Sequence, residues 1–174
     1  MADDTEGPQG NGSESAAAPG ATSEQAAEPR LILNSHYIKD LSFENPNAPV
    51  IYGELQKGPT IDMHIDVASS RVQERVFEVL LKLRVTAKVE DKLAFLVELD
   101  MAGLATIGQG VADDERERLL FIEVPRYLFP FARAVIGDMT RDGGFPPLLM
   151  NPIGFEELYR SQKEQAARPA EANA

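Results

Sequence analysis

Two period-two runs separated by a short polar stretch limit what this chain is able to fold into. Val79, Leu81, Leu83, Val85, Ala87 and Val89 alternate with Lys82, Arg84, Thr86 and Lys88. Phe95, Val97, Leu99 and Met101 then alternate with Ala94, Leu96, Glu98 and Asp100. Successive side chains of a strand point to opposite faces, so each run is a strand with one dry face and one wet face. A tight turn around Glu90 to Lys92 keeps the two dry faces together only if Val85 opposes Val97 and Arg84 opposes Glu98.

The flanking sequence supplies partners for this hairpin. Tyr37, Leu41 and Phe43 point one way and Asp40, Ser42 and Glu44 the other, a short strand that Asn45-Pro46-Asn47-Ala48-Pro49 stops. Ile61, Met63, Ile65 and Val67 alternate with Asp62, His64 and Asp66 in a further strand, before Ala68-Ser69-Ser70 breaks the pattern. Val50 to Pro59 is a crossing loop between these two strands. Its apolar Val50, Ile51, Tyr52 and Leu55 either pack inward or wall a groove.

Helical periodicity is confined to the C-terminal third. From Pro125 to Thr140, Leu128, Phe131, Ala132, Val135 and Met139 recur at three- and four-residue steps, and Gly143-Gly144 with Phe145-Pro146-Pro147 ends the pattern. Pro130 is expected to bend the first turns or move the helix start toward itself. A second, shorter helix is predicted from Asn151-Pro152, carrying Phe155, Leu158 and Tyr159 on one side. Four alternating strands followed by two helices predict an α+β fold, a four-stranded antiparallel sheet with one face covered by two C-terminal helices.

Residues 1–29 have Met1 as their only large apolar side chain and are predicted to be a disordered acidic N-terminal extension. Residues 30–162 form the single domain, and 163–174, rich in Ala and Glu, a flexible C-terminal tail. The formal net charge is −11. Taking away Asp3, Asp4, Glu6, Glu14, Glu24 and Glu28 leaves −5, so about half the imbalance belongs to the extension. Such a chain repels nucleic acid and anionic membrane surfaces. There are no cysteines, which excludes disulfides, thiolate metal sites and cysteine nucleophiles. No apolar run approaches the roughly 20 residues that cross a bilayer, and the N-terminus lacks the layout of a signal peptide. The expectation is a protein that stays where it is made.

Catalytic chemistry finds little support. Asp62, His64 and Asp66 share one strand face and have the composition of a cation site, but water-facing sheet rows carry the same residues and no second histidine cluster completes a coordination sphere. Gly108-Gln109-Gly110 lacks the lysine and hydroxyl of a phosphate cradle. No nucleophile–histidine pair is present, so the chain is not expected to be an enzyme, and no cofactor or metal is expected. A surplus of apolar surface remains, which oligomerisation or a ligand groove would use. The wet sheet face remains as well, where Asp40 and Glu44 would attract a basic partner anchored by Leu96.

Several runs resemble the SecB family of bacterial export chaperones, in the family's order and spacing. They are YIKDLSFENPNAP from Tyr37 to Pro49, ASS at Ala68 to Ser70, Ala94-Phe95-Leu96, Pro125 with LFPFAR at Leu128 to Arg133, and Gly144 to Pro146. The resemblance covers about His36 to Tyr159. It implies an ATP-independent chaperone of the bacterial cytoplasm, a homotetramer built as a dimer of dimers, that binds unfolded preproteins, keeps them translocation-competent and delivers them to the ATPase SecA. On matching positions it implies SecA-binding roles for Asp40, Glu44, Leu96 and Glu98, and a client groove lined by Tyr52, Leu55, Phe145, Leu149, Phe155 and Tyr159. Family members can carry a tryptophan in the crossing loop, where this chain has Leu55-Gln56. The alternative on the same fold is an adaptor or chaperone dedicated to a single partner such as an antitoxin.

Overall fold

The computed structural model of the chain describes residues 28–167. At its centre β3 (Val76–Val89) and β4 (Lys92–Ile107) form the expected hairpin, with Val85 opposite Val97 and Arg84 opposite Glu98. The turn itself is Glu90-Asp91, and Glu90 adopts a left-handed φ of 54°. Just after it the register slips by one, because Lys88 faces Leu93 while Ala87 faces Phe95. The extra residue, Ala94, is buried and does not lie on the wet face as simple alternation predicts.

The hairpin is flanked by β1 (Leu31–Glu44) against β4 and β2 (Thr60–Arg71) against β3, all antiparallel, in the order β1-β4-β3-β2. β1 is far longer than its clean alternation suggests, because two bulges interrupt its period. Leu33 faces Ala105 and Ser35 faces Leu104, so Asn34 is extra; Ile38 faces Met101 and Asp40 faces Asp100, so Lys39 is extra. Each extra residue reverses the alternation. Leu41 and Phe43 therefore face the core, whereas Tyr37 is on the opposite face, where its hydroxyl donates to Glu78. The expectation that Tyr37 shares a face with Leu41 and Phe43 is corrected by the Lys39 bulge.

From β1 the chain must cross three strand spacings, about 14 Å, to begin β2 on the far edge. A 3₁₀ helix, Val50–Lys57, makes this crossing with Ile51 fully buried beneath it. Beyond β4 the helical run starts in the charged stretch ahead of Pro125. α1 (Asp113–Arg118) passes through a π turn, Leu119–Glu123, directly into α2 (Val124–Asp142). The Val124 N–H donates to the Leu119 carbonyl five residues back, immediately before Pro125, which has no N–H to give. Pro130 lies inside α2 without ending it.

The buried stripe of α2 is Val124, Leu128, Ala132, Ile136 and Thr140, an uninterrupted i, i+4 series, with Phe129 beside it. Phe131 was expected among the core residues. It is instead exposed, and stacks on His36 of β1 at 3.9 Å between ring centroids. After Gly143 the chain folds back on α2 through the buried Thr140 hydroxyl, which accepts from the Leu148 N–H at 2.9 Å and lies 3.0 Å from the Ile136 and Gly137 carbonyls.

α3 (Phe155–Ala167) starts later than the Asn151-Pro152 signal. Met150 and Ile153 are drawn into the core first, which holds that stretch out of helix. α3 also continues beyond Gln162, where the sequence predicts fraying, because Lys163 is held by the Tyr159 hydroxyl at 2.9 Å and by Glu117 at 3.1 Å. The rest of the expected N-terminal extension and C-terminal tail, residues 1–27 and 168–174, lies outside the described residues. The dry sheet face meets α2 and α3 in a single apolar core.

Candidate functional site

The sheet face turned away from the core carries ordered cross-strand rows. Asp40 opposes Asp100, which opposes Lys82; Ser42 opposes Glu98, which opposes Arg84; Glu44 opposes Leu96, which opposes Thr86. Asp40, Glu44, Leu96 and Glu98 thus form one contiguous patch across β1 and β4. Directly opposed residues on one face stand about 4.5–5.5 Å apart. Asp40 and Glu44 are exposed and without an ion-pair partner among the described residues. Glu98 is matched to Arg84 at 2.8 Å, and Asp100 to Lys82 at 3.5 Å. The patch offers a basic partner two free carboxylates beside a half-buried leucine.

Asp100 was not among the residues singled out for this patch. Its place on the wet face was legible in the alternation of β4, and what the sequence lacked was the Lys39 bulge that sets it directly against Asp40. The same bulge creates a second polar cluster. Lys39 Nζ and the Tyr37 hydroxyl both donate to Glu78. The lysine, chiefly, and then the phenol hold the Glu78 carboxyl below its usual range. The carboxylate in turn pushes the Tyr37 phenol up, with desolvation adding to the effect.

The Asp62, His64 and Asp66 row is set against Thr86, Arg84 and Lys82. Two of these three neighbours are cations, and Asp66 already accepts from Gln162 of α3 at 2.8 Å. Among the described residues no group of three side chains is arranged to hold a metal. His36 is engaged with Phe131, as described above.

The six candidate groove residues divide into separate places. Tyr52 of the crossing helix lies 5.4 Å from Phe145 between ring centroids, and Phe145 lies 4.9 Å from Phe95. The Tyr52 hydroxyl donates to the Gly143 carbonyl at 2.9 Å and accepts from Asn45 at 2.8 Å, which ties the crossing to the end of α2. Around α3, Phe155 meets Phe129 edge-on at 6.0 Å, and Tyr159 meets Phe121 at 6.1 Å. Phe145 and Phe155 are 5% and 2% exposed, so both are committed to the chain's own core. Leu55 is partly buried against it. Leu149 is 74% exposed and lines a separate recess of about 310 Å³ with Pro130 and Arg133 of α2.

Tyr159 also borders a recess of about 480 Å³ between β2, the π turn and α3, with Asp66, Phe121 and Lys163 in its wall. Lys163 is tied to Glu117 at 3.1 Å in its wall, and Arg118 to Glu156 at 2.9 Å in an adjoining recess that shares Tyr159 and Lys163. The lysine's hydrogen bond is the main cause holding the Glu117 carboxyl below its usual range. Arg118 does the same for Glu156. No helix among the described residues is long and apolar enough to cross a membrane.

Comparison with known proteins gives these features a family. A profile described as preprotein translocase subunit SecB matches residues 24–166. The protein-export protein SecB of Rhodospirillum rubrum is 46% identical over 166 residues, covering 92% of this chain and 99% of that protein. The protein of the same description from Parvibaculum lavamentivorans is 48% identical over 144 residues, 83% and 85% of the two chains. Among solved structures, the fold is similar to a Mycobacterium tuberculosis SecB-like chaperone, Rv1957, in complex with a peptide of the HigA1 antitoxin, with TM-score 0.61 and 16% identity over 71% of this chain and 91% of that one. With a family profile spanning most of its length and relatives of nearly half-identical sequence, the chain belongs to the SecB family.

Proposed function

We propose that this chain works as an ATP-independent holdase of the bacterial cytoplasm that binds unfolded preproteins and hands them to SecA. The observation that carries the reading is the contiguous patch of Asp40, Glu44 and Leu96, an unpaired acidic face with an apolar anchor, on a chain of this family. A basic segment of SecA is the partner that such a face suits: charge steers the encounter and a buried leucine supplies the anchor. Client binding would use Tyr52, Leu55, Leu149 and Tyr159, with Phe145 and Phe155 as the aromatic floor behind them.

Holding a client asks for no sequence-specific contact and no nucleotide. Each large apolar client side chain buried contributes roughly 1.5–3 kcal/mol, so a few of them offset the roughly 2–5 kcal/mol that ordering the segment costs. A folded client hides those side chains, and selectivity for the unfolded state follows. The exposed Ile38, Tyr127 and Phe131 on the β1 and α2 side support assembly into the homotetramer, which would engage several segments of one client at high effective concentration.

The test is capture of a slow-folding preprotein diluted from denaturant, compared with the same preprotein already folded. Capture of the unfolded form alone, without nucleotide, supports the holdase. Failure with several unrelated preproteins would overturn it in favour of a chaperone dedicated to one partner.

A further inference from the structure

At the end of the sheet remote from the β3–β4 hairpin, the β2–β3 turn and the β4–α1 loop enclose a cleft of about 180 Å³. Arg71, Arg75 and Arg116 line it, with Glu74 as the one carboxylate in its wall. On a chain of net charge −11 this is a local reversal of sign. Arg71 and Arg116 stand over the same ring, each guanidinium 5.9 Å from the centre of Phe77. Arg116 is matched to Asp113 at 2.9 Å. Arg71 places Nε and Nη2 on the backbone carbonyl of Glu74, at 3.1 and 2.5 Å, and has no carboxylate partner among the described residues. A guanidinium carries five N–H donors, so Arg71 keeps donors to spare beside a neutral acceptor.

The chain itself delivers an acidic segment to this cleft. Gly108, in the cleft wall, donates to the Arg30 carbonyl at 2.9 Å, and a Cβ on it would stand 2.6 Å from the Pro29 carbonyl oxygen. The glycine lets the lead-in to β1 run directly against the loop. Glu28 then reaches Arg75 at 3.7 Å, near the limit of an ion pair. The sequence before it, residues 1–27, contains Asp3, Asp4, Glu6, Glu14 and Glu24 and neither lysine nor arginine. Glu24 is four residues from Glu28, a reach of about 14 Å for extended chain.

We propose that the arginine cleft is the docking site of the chain's own acidic segment 1–27, with Glu24 the nearest carboxylate for the spare donors of Arg71 and Arg75. Tethering places those carboxylates at the cleft at an effective concentration on the order of millimolar, which a free acidic peptide must exceed to displace them. The contact is electrostatic and open to solvent, so salt releases it: the screening length falls from about 10 Å at 0.1 M to about 3 Å at 1 M.

The absence of cysteine makes the test direct. A nitroxide on Ser23→Cys of the full chain is expected to broaden the amide signals of Arg75 and Gly110 more strongly at low ionic strength than in about 1 M salt, where only the tether holds it near. Arg71→Gln combined with Arg75→Gln should reduce the broadening to the high-salt level, as should Glu14→Gln combined with Glu24→Gln, which leaves every described residue unchanged. Absence of broadening, or broadening in these variants and in high salt as large as in the parent chain at low ionic strength, would overturn the proposal, because only the covalent connection would then hold the segment near. The readout does not depend on clients or SecA, so it stands apart from the export function.

Discussion

Arg84 Nη1 lies 2.8 Å from Glu98 Oε1 across the β3–β4 hairpin, so one carboxylate of the candidate docking patch is already paired within its own chain. A basic partner must compete with Arg84 for Glu98, whereas Asp40 and Glu44 are open to it. Arg84→Gln is therefore expected to strengthen SecA binding, by about 1 kcal/mol or roughly fivefold. Titration calorimetry of the variant against SecA checks this, and weaker binding would show that the arginine itself touches the partner.

Reversing the open carboxylates should have the opposite effect. Asp40→Lys combined with Glu44→Lys is expected to weaken SecA binding by at least about tenfold and to flatten or invert its salt dependence. Capture of unfolded preprotein should be unchanged. Parallel loss of both activities would indicate damage to the sheet or the assembly, which native mass spectrometry would reveal.

The junction between the crossing helix and α2 has no room for a methyl group. A Cβ on Gly143 would stand 2.2 Å from the Phe43 ring. That ring is partly buried against the core and stacks on Phe95 at 6.0 Å, so a shift to admit the methyl would disturb this pair. Gly143→Ala is expected to cost about 1–3 kcal/mol in denaturant unfolding, the usual range for overpacking. Tyr52→Phe, which removes only the hydroxyl bridging Asn45 and Gly143, should cost about 0.5–1.5 kcal/mol.

Acid should loosen α3. Glu117 and Glu156 both titrate below their ordinary value of 4.5 when folded. A depressed carboxyl stabilises the fold above its unfolded pKa, and that contribution disappears as pH falls through the folded one. Attachment of α3 is thus expected to be constant from neutrality down to about pH 5 and to weaken below the mid-4 region. Hydrogen exchange of α3 amides across this range measures it. Glu117→Gln should flatten the dependence, because its tie to Lys163 no longer titrates.

How far the sequence was legible depended on whether a residue's period survived its neighbours. The β3–β4 register could be read as far as Ala87 and Phe95, because two long alternations and a short turn admit one pairing that keeps both dry faces together, while the bulge at Ala94 beside the turn could not. β1 was legible only beyond Lys39, since a bulge leaves no mark in the residue types on either side of it. The shared face of the candidate patch was legible for the same reason as the hairpin: strand period brings Asp40, Glu44, Leu96 and Glu98 to one side of the sheet. The groove residues were not separable in this way. Phe145 and Phe155, which are core, and Leu149, which is not, carry the same apolar signal. Phe131 was misplaced on the same ground, because a side chain that faces solvent or a partner from a helix looks, in sequence, like one that faces the interior.

The two bulges give β1 something like a reading frame. Deleting Asn34 or Lys39 would close a bulge and leave every other residue of the strand opposite its present partner. Deleting a paired residue such as Leu41 would instead carry one side of the strand across the sheet, exchanging water for core, unless a bulge residue moved in to take the missing place. The strand thus holds two spare letters, and the acidic face depends on the unbroken spacing from Asp40 to Glu44.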